Sequence, residues 1–128
     1  MHRETFSTGT PWEPIVGYAR AVRVGACIYV SGTVATGADG GIIGIDDPYT
    51  QAAQAIRNIV RALESFGADA TNVVRTRIYV ANMDHWQEIG KAHAEVFGRF
   101  KPATTMVEVS RMITPEVLVE IEADAVLA

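Results

Sequence analysis

Apolar and polar residues alternate along the last stretch of the chain with a period of two. Val117, Val119, Ile121, Ala123, Ala125 and Leu127 share one parity, and Leu118, Glu120, Glu122, Asp124 and Val126 share the other. The pattern predicts a β-strand over 117–127 with one apolar face and one face carrying three carboxylates. Side chains at i and i+2 on a strand are neighbours, so these acids repel unless water, arginines or a ligand compensates them. A second extended run, Ala103–Val109, precedes that strand across a bend at Ile113-Thr114-Pro115.

Upstream, residues 1–16 read as an N-terminal arm, broken by Thr8, Gly9, Thr10 and Pro11 and anchored by Trp12. Ala19–Val24 and Cys27–Val34 read as a β-hairpin turning at Gly25-Ala26, followed by a loop over 37–44 with a short strand at Gly41–Ile45. Asp47 is a good N-cap with Pro48 behind it, and Tyr49, Ala52, Ile56, Ile59, Val60, Leu63 and Phe66 recur at helical spacing before Gly67. Val73–Val80 is a strand with Val74, Thr76, Ile78 and Val80 on one face and Arg75, Arg77 and Tyr79 on the other. Asn82 and Asp84 open a second helix, with Gln87 at capping-box spacing from Asp84. Its stripe is Trp86, Ile89, His93, Val96 and Phe97, which places Trp86 in the core, and it ends at Gly98. The order β-β-(β)-α-β-α-β-β predicts an α+β fold, a mixed sheet with two helices on one face. The opposite face would carry Arg75, Arg77, Glu108, Glu120 and Glu122, and subunits are expected to meet there.

Composition narrows the function classes. The chain of 128 residues and 13.8 kDa reads as a single domain, 1–128. A net charge of −4 and a pI near 5.3 leave no electrostatic footprint for nucleic acid. Neither a signal peptide nor a membrane span is read, and the lone Cys27 fits a reducing, cytoplasmic setting. Cys27 itself reads as a small core residue. A hydrophobic fraction of 48% is high for so small a chain, which points to apolar surface buried against another subunit. No metal site is expected, because His85 and His93 lack ligands at coordinating spacing. No cofactor is expected either, because the glycines of GADGG lack the lysine and helix of a phosphate loop.

Several stretches in sequence order resemble the RidA/YjgF family of reactive-intermediate deaminases. They are Gly17-Tyr18, Ala21-Val22 through Val30-Ser31-Gly32, the helix QAAQAIRNIVRALESFGA, Val73-Val74-Arg75 through Tyr79-Val80, Pro102-Ala103, Val107-Glu108-Val109, and Val119-Glu120-Ile121-Glu122-Ala123. The resemblance implies a chorismate-mutase-like fold and a homotrimer whose sheets form a central barrel, with a small-molecule ligand in each cleft between subunits. In members that hydrolyse imines it implies that an arginine holds the substrate carboxylate while a glutamate positions the attacking water. Ammonia and a keto acid are released.

By that resemblance Glu120 is the catalytic candidate, and Tyr18, Ser31, Gly32, Thr104 and Met106 fall at cleft positions. One side of the cleft would hold Tyr18, Arg20 and Ser31-Gly32, and the other Thr104, Met106 and Glu120. Imine-hydrolysing relatives carry arginine directly after Pro-Ala, whereas this chain has Thr104 after Pro102-Ala103. A threonine hydroxyl cannot make the bidentate, charge-assisted contact of a guanidinium. Gly90 likewise stands where many relatives have asparagine. Arg20, where the family usually has an uncharged residue, is the candidate to replace the missing cation. The plainer reading pairs Glu120, Glu122 and Glu108 with Arg75 and Arg77 across the sheet. Three functions remain: a Rid-type protein acting on an enamine, imine or related metabolite but weak on 2-iminopropionate, a non-catalytic metabolite- or partner-binding trimer, and an endoribonuclease, which the acidic charge disfavours.

Overall fold

The computed structural model, which describes residues 2–128, runs β1 (Arg3–Phe6), α1 (Trp12–Val16), β2 (Ala21–Val24), β3 (Cys27–Thr33), α2 (Pro48–Glu64), β4 (Val73–Val80), α3 (Trp86–Phe97), β5 (Ala103–Glu108) and β6 (Val119–Val126). One six-stranded sheet has the order β1-β2-β3-β6-β4-β5. Only β4 and β5 run parallel, joined by the α3 crossover, so the sheet is mixed.

The last strand in sequence is central in space. The inner parity of β6, Val119, Ile121, Ala123 and Ala125, is buried throughout, and a strand that apolar needs a neighbour on both edges and a helix above it. Helix α2 supplies the cover with Ala52, Ala55, Ile56, Ile59, Ala62 and Leu63. Asp47 caps it as expected, accepting from Thr50 N at 3.0 Å, and Gly67 at φ +79 turns the chain away beyond its end. Helix α3 adds Ile89, Ala92 and Phe97 on the same side of the sheet.

The buried Gln51 ties this layer to the approach to β6. Its Oε1 accepts from Leu118 N at 2.9 Å, and its Nε2 donates to Glu116 O at 2.8 Å and Gly44 O at 3.1 Å.

Several sequence expectations are corrected. The stretch read as an irregular arm holds β1, whose side chains show no apolar period because the open edge of β2 recruits its backbone. Gly41–Ile45 is not a strand; a glycine-rich turn leaves only an isolated bridge between Thr36 and Ile42. Val74 points outward, because a register shift between Val73 and Arg75 sends Val73 into the core. Trp86 is 54% exposed: it sits in the first turn of α3, ahead of the first buried residue, Ile89. That helix is preceded by a 3₁₀ turn over Met83–His85 capped by Asn82, not by a capping box at Asp84. Cys27 lies half-buried on the outer parity of β3, since Ile28 and Val30 fill the inner one.

Candidate functional site

The segment that leads into β2 builds the site, and Glu13 fixes that segment. Thr10-Pro11-Trp12-Glu13 has the Thr-x-x-Glu spacing of a helix start, and the Glu13 carboxylate accepts from Thr10 N at 3.0 Å, Thr10 Oγ1 at 2.7 Å and Thr8 Oγ1 at 3.2 Å. Burial pushes the Glu13 pKa up, but these donors outweigh it and hold the pKa below its ordinary value. Helix α1 then stops at Gly17, whose left-handed φ of +88 reverses the chain, and Tyr18 N closes back onto Glu13 O at 3.0 Å.

From there residues 18–20 lie against the end of β3 through three hydrogen bonds. Ser31 N donates to Arg20 O at 3.0 Å, Ser31 Oγ donates to Ala19 O at 2.7 Å, and Arg20 Nη2 donates to Gly32 O at 2.8 Å. The hydroxyl of Ser31 therefore spends its proton on the backbone rather than on a ligand. The Arg20 guanidinium lies 5.4 Å from the centroid of the Tyr18 ring. Its Nε is buried without a partner, and the side chain also lines a cleft of about 1100 Å³ between the Phe6–Trp12 segment, the Thr36–Gly40 loop and α2.

Strand β6 is hydrogen-bonded to β3 and brings Glu120 to the same place on the outer face of the sheet. The register shift between Val30 and Thr33 opens β3 at Gly32, and the Glu120 carboxylate occupies the space that a side chain at position 32 would fill. Burial pushes the Glu120 pKa above its ordinary value; the Arg20 charge opposes the shift and Glu122 adds to it. Glu120 is thus a half-buried carboxyl close to one fixed cation.

The other two acids of β6 are compensated within the sheet. Arg77 Nη1 lies 3.4 Å from Glu122 Oε1 and 3.3 Å from Asp124 Oδ2, and Tyr79 OH donates to Glu122 Oε1 at 3.2 Å. Burial first, then the Glu122 charge, pushes the Tyr79 pKa up. The expected pairing of Glu108 with Arg75 and Arg77 does not form. The parallel register sets Glu108 opposite Val80, on the helix side of the sheet, where its carboxylate accepts from Met83 N at 2.9 Å.

Five of the seven sequence candidates therefore converge within one chain: Tyr18, Arg20, Ser31, Gly32 and Glu120. Glu120 joins the Arg20 side of the cleft rather than the Thr104 side. Thr104 and Met106 lie two strands away from β6 on edge strand β5, and the register with Thr76 and Ile78 turns both toward the helix face. Met106 is half-buried against the core, and exposed Thr104 contacts Thr76 Oγ1 at 2.8 Å. Sequence reasoning missed Glu13, although its spacing from Thr10 was a readable signal. It also missed the contact of Thr76 Oγ1 with His93 Nε2 at 2.8 Å, which no local pattern announces. Among the described residues no three His, Cys, Asp or Glu side chains gather as a metal site, and no helix is long and apolar enough to cross a membrane.

Residues 8–127 match the family model described as Endoribonuclease L-PSP. An uncharacterized protein of Streptomyces coelicolor is 38% identical over 118 residues, covering 92% of this chain and 87% of that protein. A RutC family protein of Pyrococcus abyssi is 34% identical over 125 residues, 98% of each chain. Among solved structures, a Mycobacterium tuberculosis member of the YjgF/YER057c/UK114 family superimposes with a TM-score of 0.89 at 45% identity, covering 98% of this chain and 100% of that one.

Proposed function

The chain belongs to the Endoribonuclease L-PSP family, the RidA/YjgF group, and on that premise we propose that it binds and hydrolyses a small enamine, imine or related metabolite at clefts between subunits of a homotrimer. One observation carries the reading: Glu120, with its raised pKa, lies over Gly32 beside an arginine that Gly32 itself anchors.

The chemistry follows from that pair. Glu120, ionised, accepts a proton from a water held against it, and the water oxygen forms a bond to the carbon of the ligand's C=N group. The nitrogen takes up a proton as the C=N electrons move onto it. Collapse of the resulting carbinolamine breaks the C–N bond and releases ammonia and a carbonyl compound, so the atoms of imine plus water are conserved. A pKa raised by burial makes Glu120 a stronger base than an ordinary carboxylate, which suits it to take up and return that proton. Arg20 holds a carboxylate on the ligand in place of the cation that Thr104 does not provide. Its head is already pinned to Gly32 O, which leaves fewer donors for a bidentate grip, so 2-iminopropionate is a poor substrate.

Trimer formation is supported by apolar surface on the outer face, where Tyr29 is 50% exposed and Val107 and Val126 are also open. The test is ammonia release from a panel of imino acids by wild type, Glu120→Gln and Arg20→Ala. Catalysis through this site requires both variants to lose activity. Activity unchanged in Glu120→Gln removes Glu120 from the mechanism, and no release from any imine by wild type leaves a binding protein instead.

A further inference from the structure

A partly buried chain of hydrogen bonds runs from helix α3 to the open edge of the sheet. His93 Nε2 lies 2.8 Å from Thr76 Oγ1, Thr76 Oγ1 lies 2.8 Å from Thr104 Oγ1, and Thr104 Oγ1 donates to Pro102 O at 3.2 Å. Thr76 is fully buried, so these are the partners available to its hydroxyl. Thr104 is exposed on β5, which has no strand on its far side.

Counting protons fixes the direction of the chain. A carbonyl oxygen only accepts, so the single proton of Thr104 goes to Pro102 O. The bond between the two threonines must then use the proton of Thr76. Thr76 has none left for the ring, so His93 Nε2 carries a hydrogen and donates. Burial pushes the His93 pKa down, which favours the neutral ring; protonation at Nδ1 would leave the Nε2 hydrogen in place. Donors aligned head to tail polarise one another, so the last hydroxyl is a stronger donor and a poorer acceptor than an isolated threonine. Its contact with Pro102 O is the longest of the three and the one a ligand most readily replaces.

We propose that His93 and Thr76 are positioning residues that hold the Thr104 hydroxyl as a hydrogen-bond donor at the β5 edge, selecting ligands with a carbonyl or imine acceptor over ligands that present an amine. The ligand-selecting half rests on the proposed function, with Thr104 at the cleft position that the family resemblance gives it; the hydrogen-bond chain itself does not. Because Thr104 is neutral, it directs an acceptor without adding the charge of a cation.

Two measurements on the full chain separate these halves. Long-range proton–nitrogen NMR of the His93 ring at neutral pH is expected to show hydrogen on Nε2; hydrogen on Nδ1 alone reverses the chain and overturns the proposal. Pyruvate, a stable carbonyl probe, is then titrated while the Thr104 methyl and Glu120 are followed by NMR. Thr76→Val and His93→Leu should each weaken pyruvate binding about 3- to 10-fold, the worth of one ordinary hydrogen bond. His93→Gln, which restores an N–H donor, should recover it. Equal pyruvate affinity in all four proteins overturns the ligand selection. If pyruvate perturbs neither Thr104 nor Glu120, the ligand-binding reading fails instead, and the ring tautomer still decides the chain.

Discussion

Arg20 Nη2 donates to Gly32 O at 2.8 Å, and this one bond joins the segment entering β2 to the strand position over which Glu120 lies. Position 32 therefore serves twice. Its carbonyl aims the cation, and its missing side chain makes room for the carboxylate.

Gly32→Ala should fold but displace Glu120. An added Cβ would fall well inside contact distance of Glu120 Oε2, and the flexible carboxylate moves more easily than the strand. A stability loss of about 1 kcal/mol is expected for this mild overpacking. Ammonia release should drop to the level of Glu120→Gln, and chemical denaturation together with the activity assay checks both. Full activity with normal stability would show that the carboxylate does not need that space.

The raised Glu120 pKa has a signed consequence for stability. Folding favours the protonated acid, so Glu120 contributes stability below the ordinary carboxylate pKa that is lost as pH rises through its higher folded value. Glu120→Gln should then melt above wild type at neutral pH and converge with it in acid. Thermal melts of both proteins from about pH 4 to about pH 7, a range that begins near the ordinary glutamate value, measure the difference. A variant less stable than wild type at neutral pH contradicts the burial argument.

Gln51→Leu should be among the more damaging substitutions outside the site. It leaves Leu118 N and Glu116 O without their partner beneath α2, while Gly44 O keeps its bond from Asp47 N. A loss of about 2–4 kcal/mol is expected from two buried backbone groups left unpaired. Urea unfolding of the two proteins decides it, and a loss below the range of a single hydrogen bond would mean that water replaces the amide.

Light scattering on the purified protein should report about three times the chain mass of 13.8 kDa. Replacing the exposed Tyr29 of the outer face with Glu should shift the population toward monomer, because assembly would bury a new carboxylate beside its cross-strand partner Asp124, whose cation Arg77 is already shared with Glu122. A wild-type protein that stays monomeric at micromolar concentration removes any site shared between subunits.

Most of the architecture was legible from periodicity. The alternation of Val119 to Ala125, the stripe of α2 and its Asp47 cap each arise from contacts within a few residues, so local sequence determined them. The family resemblance pointed to Tyr18, Ser31, Gly32 and Glu120, and the fold does assemble them. Other features have causes remote in sequence. Strand β1 exists because an edge of β2 was open, Val74 turned outward because β4 and β6 slipped by one residue, and Trp86 missed the core because α3 starts before it reaches the sheet. Burial and charge at Glu120 come from residues about ninety and a hundred positions upstream, Gly32 and Arg20. Likewise Thr104 meets Thr76 and His93 only because β4 and β5 pair in parallel. The sequence by itself therefore determined which segments are strands and helices and which side of each is apolar, since those follow from neighbours two to four residues away along the chain. Only the tertiary structure decided which polar side chains share one small volume, because the distances that set a pKa or a hydrogen bond are closed by the packing of strands that lie far apart along the chain.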